Sequence, residues 1–259
     1  MGLEYLKVSV ENLIATITLQ RPPANALSQW MLRELSVVMD DIEGNDQVRV
    51  ILIRGEGRFF SAGADIKEFT TVDNMEDFSK LGKVGQDLFE RMERFPKPII
   101  AAIHGAALGG GLELAMACHI RIVSESAKLG LPELQLGLVP GFGGSQRLQR
   151  YVGAAKAAEM LFTSEPITGA NAAELGLANK ACPENDVFET AMTMAKKIAQ
   201  KSPVALSAAI QLLNFSKPNT FYEGVNKEAE LFGKVFVSND AKEGIQAFLE
   251  KRSPNFKGN

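Results

Sequence analysis

Cysteine, histidine and tryptophan are scarce in this sequence: among 259 residues there are two cysteines, two histidines and one tryptophan. Cys118 and Cys182 belong to no CxxC or Cys/His pattern. This excludes a disulfide scaffold, argues against a zinc site and is typical of a reduced, cytoplasmic protein. With His104 and His119 alone, and without a GxSxG elbow, a Ser–His–Asp triad has few ways to form. We therefore expect no metal and no hydrolase of that type, and we interpret His104 as structural.

A long apolar run, a leader segment and an excess of positive charge are also missing. No run approaches the length of about 20 residues that spans a bilayer, and the first residues lack the basic and apolar regions of a signal peptide. The formal net charge is −3 and the pI is about 5.6, which is unlike a nucleic-acid-binding surface. We predict no membrane association and no nucleic-acid partner.

Apolar residues are abundant, at 46% of the chain, which is enough for a substantial core. Strand patterns repeat with helix patterns to about residue 182, whereas from Val187 onwards the patterns predict helices alone. No low-complexity linker separates the two parts. We therefore predict an α/β fold with a core over residues 1–186 and a helical region over residues 187–259.

Within the core, residues 48–54 and 99–103 are strongly apolar and predict strands buried on both faces. Ser28 is predicted to cap a helix over residues 29–43, with Trp30 on its apolar face. Ser145 is predicted to cap a later helix.

Glu113 is the first candidate for chemistry, because it is the only acidic or basic side chain, histidines aside, between Lys97 and Arg121. Its neighbours predict a helix that is apolar nearly all round and therefore buried. Burial disfavours the charged form of a carboxyl group and raises its pKa. The residue is either functional or a core acid satisfied by an arginine or a backbone donor.

Glu133 is isolated in the same way, as the only charge between Lys128 and Arg147. Two lone carboxyl groups in two glycine-punctuated apolar segments favour the functional interpretation. If both face one pocket, they form an acid/base pair whose surroundings decide which group holds a proton.

Two passages share the order of buried strand, small-residue turn and helix: one contains SAGAD at 61–65, the other AALGGG at 106–111. Residues without bulk let a ligand approach the backbone, and the first amides of a helix can then stabilise a developing oxyanion. Tight helix packing and a phosphate site are the alternatives. A phosphate site lacks support, because neither of the phosphate-binding motifs GxGxxG and GxxxxGK[ST] occurs in the sequence.

Together these residues carry a resemblance that extends over nearly the whole chain. The chain resembles the enoyl-CoA hydratase/isomerase (crotonase) superfamily, and within it the short-chain enoyl-CoA hydratases. The motifs that carry the resemblance are SAGADIK (61–67), ALGGGLELA (107–115), LPE (131–133) and GLVPGFGGSQRL (137–148).

The resemblance implies a spiral of ββα units with a C-terminal helical trimerisation region, assembled as a homotrimer or a homohexamer. It also implies that the backbone N–H groups of Ala64 and Gly110 form the oxyanion hole and that Glu113 and Glu133 are catalytic. Further substrate contacts are implied, with Gly141 shaping the water site: Ala24, Ala62, Asp65, Ile66, Lys67 and Gly141.

The activity that the resemblance implies is hydration of a 2-enoyl-CoA to a 3-hydroxyacyl-CoA, a step of fatty-acid oxidation or of the breakdown of amino acids or aromatics. The substrate is a coenzyme A thioester, and no separate cofactor is expected. The alternatives are a Δ3,Δ2-enoyl-CoA isomerase and a non-catalytic member that binds acyl-CoA or RNA. The presence of both glutamates favours the hydratase.

Overall fold

The computed structural model describes residues 2–70, 74–215 and 219–255. Nine strands lie within them: β1 Leu6–Glu11, β2 Ile14–Leu19, β3 Val50–Gly55, β4 Ile99–Ile103, β5 Ala106–Leu108, β6 Ile120–Ser124, β7 Lys128–Gly130, β8 Ile167–Thr168 and β9 Lys180–Cys182. The ten α-helices are α1 Gln29–Glu43, α2 Ile66–Phe69, α3 Met75–Glu93, α4 Gly110–Ala117, α5 Gly144–Thr163, α6 Gly169–Glu174, α7 Val187–Ala199, α8 Pro203–Phe215, α9 Asn219–Phe236 and α10 Asn239–Glu250.

Six strands form the main sheet, in the order β1-β2-β3-β4-β6-β9. β1 and β2 form an antiparallel hairpin, and the other neighbours are parallel. β3 and β4 are almost completely buried, because α1, α3 and α4 contribute to the core on one face and α7 covers the other. The prediction from their continuous apolar runs is therefore confirmed.

A second, three-stranded sheet, in the order β5-β7-β8, was not predicted. Ser61 extends it through an isolated parallel bridge to Ala107. After each of β3, β4 and β6, the chain therefore adds one short segment to the second sheet before it enters a helix. This strand–strand–helix repeat confirms the predicted spiral of ββα units.

α1 begins as the sequence predicts, because the N–H of Met31 donates to the Ser28 hydroxyl at 3.2 Å. Trp30 was wrongly assigned to the apolar face: its side chain is 63% exposed. The buried face is centred on Met31 and Leu35, and Trp30 lies about 100° from Met31 around the helix. Its ring instead packs under the Arg33 guanidinium, 5.2 Å from the ring centroid.

The prediction that Ser145 caps a helix was also wrong. The cap residue of α5 is Gly143, whose φ of +91° is a left-handed conformation, and Ser145 lies in the first turn. α5 then continues to Thr163 with a kink at Gly153.

The last two helices, α9 and α10, pack on the core rather than standing apart from it. α9 packs against α3, and α10 packs against a 3₁₀ turn at Glu133–Leu136. The division at residue 187 stays a prediction. Part of the polar stretch at residues 70–76 of the sequence lies outside the described residues, namely 71–73. In the described ranges, no helix combines the length and apolar character needed to cross a membrane.

Candidate active site

One cleft brings together most of the residues that the sequence singles out. Its empty space, together with the open solvent at its mouth, amounts to about 520 Å³. Its walls come from the segment after β3, the start of α4, the 3₁₀ turn, the following loop and α9. The lining is mainly apolar, with Glu113 and Glu133 as its acidic side chains.

The entry into α4 depends on Gly109. Its φ is +51° and its ψ is −128°, a combination that is accessible to glycine and strained for other residues. A Cβ at this position would also lie 3.0 Å from Oε1 of Glu133. Gly109 therefore turns the chain from β5 into α4 and leaves room for the Glu133 carboxyl group.

The two predicted oxyanion donors lie side by side in the cleft. A Cβ built on Gly110 would lie 3.2 Å from the backbone nitrogen of Ala64, and both residues line the cleft. Within the described part of the chain, neither N–H donates to a backbone carbonyl. Two free amides at one point, one of them at the N-terminus of α4, are the arrangement that stabilises a developing oxyanion.

Glu113 lies one turn into α4 and is 2% exposed. Its Oε1 accepts N–H groups from Phe142, at 2.8 Å, and from Gly144, at 2.7 Å. Burial raises its pKa well above the ordinary value, and the charges of Glu133 and Glu228 raise it further, whereas the two N–H donors lower it. The carboxyl group is thus partly satisfied by backbone donors, yet it also lines the cleft.

Glu133 begins the 3₁₀ turn on the opposite wall. The residue is half-buried, but its Oε2 is inaccessible to solvent and has no hydrogen-bond partner among the described residues. Burial raises its pKa to about 8, and the charge of Glu228 contributes in the same direction. A carboxyl group in this setting is protonated near neutral pH.

The other predicted contacts fall into two groups. Ala62, Ile66 and Gly141 line the cleft. Ala24 adjoins it, because its carbonyl accepts the N–H of Ala62 at 2.9 Å. Asp65 and Lys67 are not among the lining residues.

Asp65 accepts the N–H of Lys67 at 3.1 Å as the cap of α2 and forms an ion pair with Arg21. The Lys67 side chain is exposed beside the cleft. His104 lies outside the lining, and its Nε2 is 2.8 Å from the Gly57 carbonyl oxygen, in agreement with a structural role.

Sequence reasoning missed the three aromatic residues of the lining, Phe69, Phe142 and Phe232, and one buried acid behind it. Phe142 and Phe232 contribute aromatic rings to the cleft, and Glu228 lies in α9 next to the Phe142 loop. Glu228 and Phe232 lie 80 and 84 positions beyond Leu148, the end of the last motif, and no local pattern connects them to it. Phe142 could have been found, since it lies inside the GLVPGFGG motif.

Similarity to known proteins extends over nearly the whole chain. The family model described as enoyl-CoA hydratase/isomerase matches residues 9–259. A "Probable enoyl-CoA hydratase" of Bacillus subtilis (strain 168) is 58% identical over 257 residues, which cover 99% of this chain and 100% of the relative. A "Short-chain-enoyl-CoA hydratase" of Clostridium acetobutylicum is 39% identical, with 97% of each chain covered.

A solved structure extends the similarity to the fold. The crystal structure of an enoyl-CoA hydratase/isomerase from Xanthobacter autotrophicus matches with a TM-score of 0.90 at 27% identity, over 99% of this chain and 100% of the other.

Proposed function

The chain belongs to the enoyl-CoA hydratase/isomerase family, and from this premise we propose that it is an enoyl-CoA hydratase. It adds water across the 2,3 double bond of a 2-enoyl-CoA and gives a 3-hydroxyacyl-CoA. The observation that carries the proposal is the pair of carboxyl groups, Glu113 and Glu133, in the same cleft as the free amides of Ala64 and Gly110. An isomerase needs a single proton shuttle, so two acids favour hydration.

The amides of Ala64 and Gly110 hold the thioester carbonyl oxygen. As water adds to Cβ, the electron pair of the double bond moves towards the carbonyl group and negative charge builds on its oxygen. Donors that are already in place stabilise this charge without reorganisation, an effect worth about 3–4 kcal/mol per donor in comparable sites.

Glu113 acts as the base that takes a proton from the attacking water. Burial raises the pKa of Glu113 well above its ordinary value, but the two hydrogen bonds that it accepts on Oε1 act in the opposite direction and favour its ionised form. The start of α4 adds a favourable dipole for negative charge. Because both bonds end on Oε1, Oε2 is left to accept a hydrogen bond from water.

Glu133 acts as the acid that delivers a proton to Cα. Its pKa of about 8 keeps it protonated near pH 7. Electrostatic repulsion between the two buried carboxyl groups supports this division, since one shared proton removes the unfavourable pair of charges.

The remaining predicted site residues bind the coenzyme A part of the substrate or shape the site of the attacking water. Ala62 and Ile66 contact its adenine end, with Ala24, Asp65 and Lys67 flanking that path. Gly141 shapes the water site, where a Cβ would lie 2.8 Å from the Phe232 ring. No separate cofactor or metal takes part, because protons and hydrogen bonds account for every step.

We also propose that residues 187–259 form a trimerisation region and that the protein is a homotrimer or a homohexamer. The exposed apolar side chains of Val204 and Leu212 on α8 support this, because contact with another copy would remove their apolar surface from water. A cytoplasmic location is supported by the two free, buried cysteines, which suit a reducing compartment.

The direct test is the loss of conjugated-enoyl absorbance when the purified protein meets crotonyl-CoA and longer 2-enoyl-CoA substrates. We expect turnover without added metal and without inhibition by EDTA. Double-bond migration in a 3-enoyl-CoA, with no hydration of any 2-enoyl-CoA, would assign the chain to the isomerases. Binding of acyl-CoA without any turnover would support the non-catalytic alternative.

A further inference from the structure

Glu228 is a third buried carboxyl group beside the cleft, and the mechanism above gives it no part. It lies on α9, is 5% exposed and is not in the cleft lining. Its Oε1 accepts the N–H of Gly143, and its Oε2 accepts the N–H of Ser145 at 3.0 Å together with the Ser145 hydroxyl. These three bonds all join Glu228 to the segment that also binds Glu113.

Four consecutive amides of this loop divide alternately between the two acids. Phe142 and Gly144 donate to Glu113, whereas Gly143 and Ser145 donate to Glu228. The loop is therefore held between two carboxyl groups on opposite sides. A shift of the loop towards one acid lengthens its bonds to the other, so the position of Glu113 depends on Glu228.

We propose that Glu228 is a positioning residue for the hydration reaction: it holds Gly143 and Ser145 so that the amides of Phe142 and Gly144 aim the Glu113 carboxylate at the attacking water. This rests on the function proposed above. It also gives α9 a part in catalysis, because that helix carries Glu228 as well as a ring of the cleft wall.

Glu228 also sets the charge around the catalytic pair. The charged groups that face it are Glu113, Glu133 and Arg147, with Glu93 on the far side of Arg147. The Arg147 guanidinium already donates to the Phe142 carbonyl at 2.6 Å and to Glu93 at 3.0 Å. Negative charge on Glu228 therefore raises the pKa of both catalytic acids.

Glu228→Gln is the sharpest variant, because glutamine keeps the shape but offers one acceptor oxygen in place of two. Its NH₂ group then faces a backbone N–H. Because two donors cannot bond to each other, one hydrogen bond to the loop is lost. We expect kcat for hydration to fall about 10- to 100-fold, the usual result of misplacing a catalytic group, with KM within about threefold. The acid limb of the kcat–pH profile should move to lower pH, because repulsion of the Glu113 charge is removed.

The matched control is Glu223→Gln, an exposed glutamate on the same helix, which should retain the kcat and the pH profile of the unaltered protein. Failure of the unaltered protein to hydrate any 2-enoyl-CoA would defeat the proposed function before Glu228 is considered. With an active parent protein, a Glu228→Gln kcat within twofold and an unmoved pH profile overturn the inference. A rise in KM alone also overturns it.

Ser145→Ala covers the case in which Glu228→Gln does not fold. This change removes the hydroxyl donor and leaves the hydrogen bonds from the backbone N–H groups of Gly143 and Ser145 to Glu228. The loop is then held less firmly, while the charge of Glu228 is retained. We expect kcat to fall about threefold to tenfold, with an unchanged KM and a melting temperature close to that of the parent. Full activity in Ser145→Ala beside an unfolded Glu228→Gln would leave Glu228 a structural residue and refute the proposal.

Discussion

Gly144 approaches the Glu113 carboxyl group as closely as a backbone allows. Its N–H donates to Oε1 at 2.7 Å, and a Cβ on Gly144 would lie 2.7 Å from the same oxygen. Real Cβ atoms do not come so close to an oxygen, so any larger residue must displace the carboxyl group. Because Glu113 is buried, its carboxyl group can be displaced only by moving away from the proposed position of the attacking water.

Gly144→Ala should therefore damage catalysis more than binding. We expect kcat to fall about 100-fold, while the affinity for a saturated acyl-CoA stays within a few-fold, because the oxyanion amides are untouched. Gly44→Ala is the control, since a Cβ there meets nothing within 4 Å and its φ is −85°. Near-normal kcat in Gly144→Ala would show that this contact does not set the position of Glu113.

Gly110→Ala, in contrast, should weaken substrate binding as well as catalysis. Its Cβ would lie 3.1 Å from the Phe142 ring and 3.2 Å from the Ala64 nitrogen, in the space assigned to the thioester oxygen. We expect kcat/KM for hydration to fall about 10²–10³-fold and binding of a saturated acyl-CoA, measured by calorimetry, to weaken as well. Tight binding with lost turnover would place the carbonyl oxygen elsewhere.

The sequence was sufficient to predict the main sheet and to single out the two acids, Glu113 and Glu133, that line one cleft, for definite physical reasons. Long apolar runs such as residues 99–103 mark buried strands, and a lone acid such as Glu113 in an apolar helix is costly to keep without a function. The second sheet was missed because its strands, such as Lys128–Gly130 and Ile167–Thr168, have two or three residues. Such segments are too short to show a period of two.

Long-range contacts account for the other errors. Ser145 has the composition of a cap, but its hydroxyl bonds to Glu228, which is 83 positions away. Phe232 lies in the region that the resemblance assigns to assembly, whereas its ring is 4% exposed and lines the cleft of its own chain. No local sequence pattern distinguishes an aromatic residue that packs within its own chain from one that is buried only by contact with a second copy of the chain.

The buried acids should make stability fall as the pH rises. The pKa of Glu133 increases from 4.5 to about 8 on folding, so between these values the folded chain binds more protons than the unfolded chain. Each pH unit in this range then costs up to about 1.4 kcal/mol for such a group. Glu133→Gln removes the cost, because an amide has no proton to lose.

We therefore expect Glu133→Gln to be more stable than the parent at pH 8, by at least about 1 kcal/mol, with a smaller gain at pH 5. The measurement is the urea midpoint at both pH values and one protein concentration. Glu125→Gln, at an exposed acid, should follow the parent curve. Parallel curves for the parent and Glu133→Gln would mean that Glu133 is not protonated on folding.

Assembly through residues 187–259 predicts a molar mass of three or six chains by light scattering. Leu212 on α8 is 72% exposed within one chain, and Leu212→Glu should lower the mass because it buries a charge in the contact. Phe162 on α5 is equally open, at 76% exposed, but lies outside that region, so Phe162→Glu should leave the mass unchanged. A monomeric parent protein at micromolar concentration contradicts the proposed assembly.

The most direct test of the account is the hydration rate constant of Glu113→Gln, Glu133→Gln and the double variant, with Glu125→Gln as control. Glutamine is nearly isosteric with glutamate but exchanges no proton near neutral pH. Each single change should reduce the rate constant by at least about 10²-fold, with binding of a saturated acyl-CoA altered only a few-fold. Because both acids serve one addition, the double variant should lose far less than the product of the single losses. Activity within a few-fold of the parent in either single variant would contradict the acid/base pair.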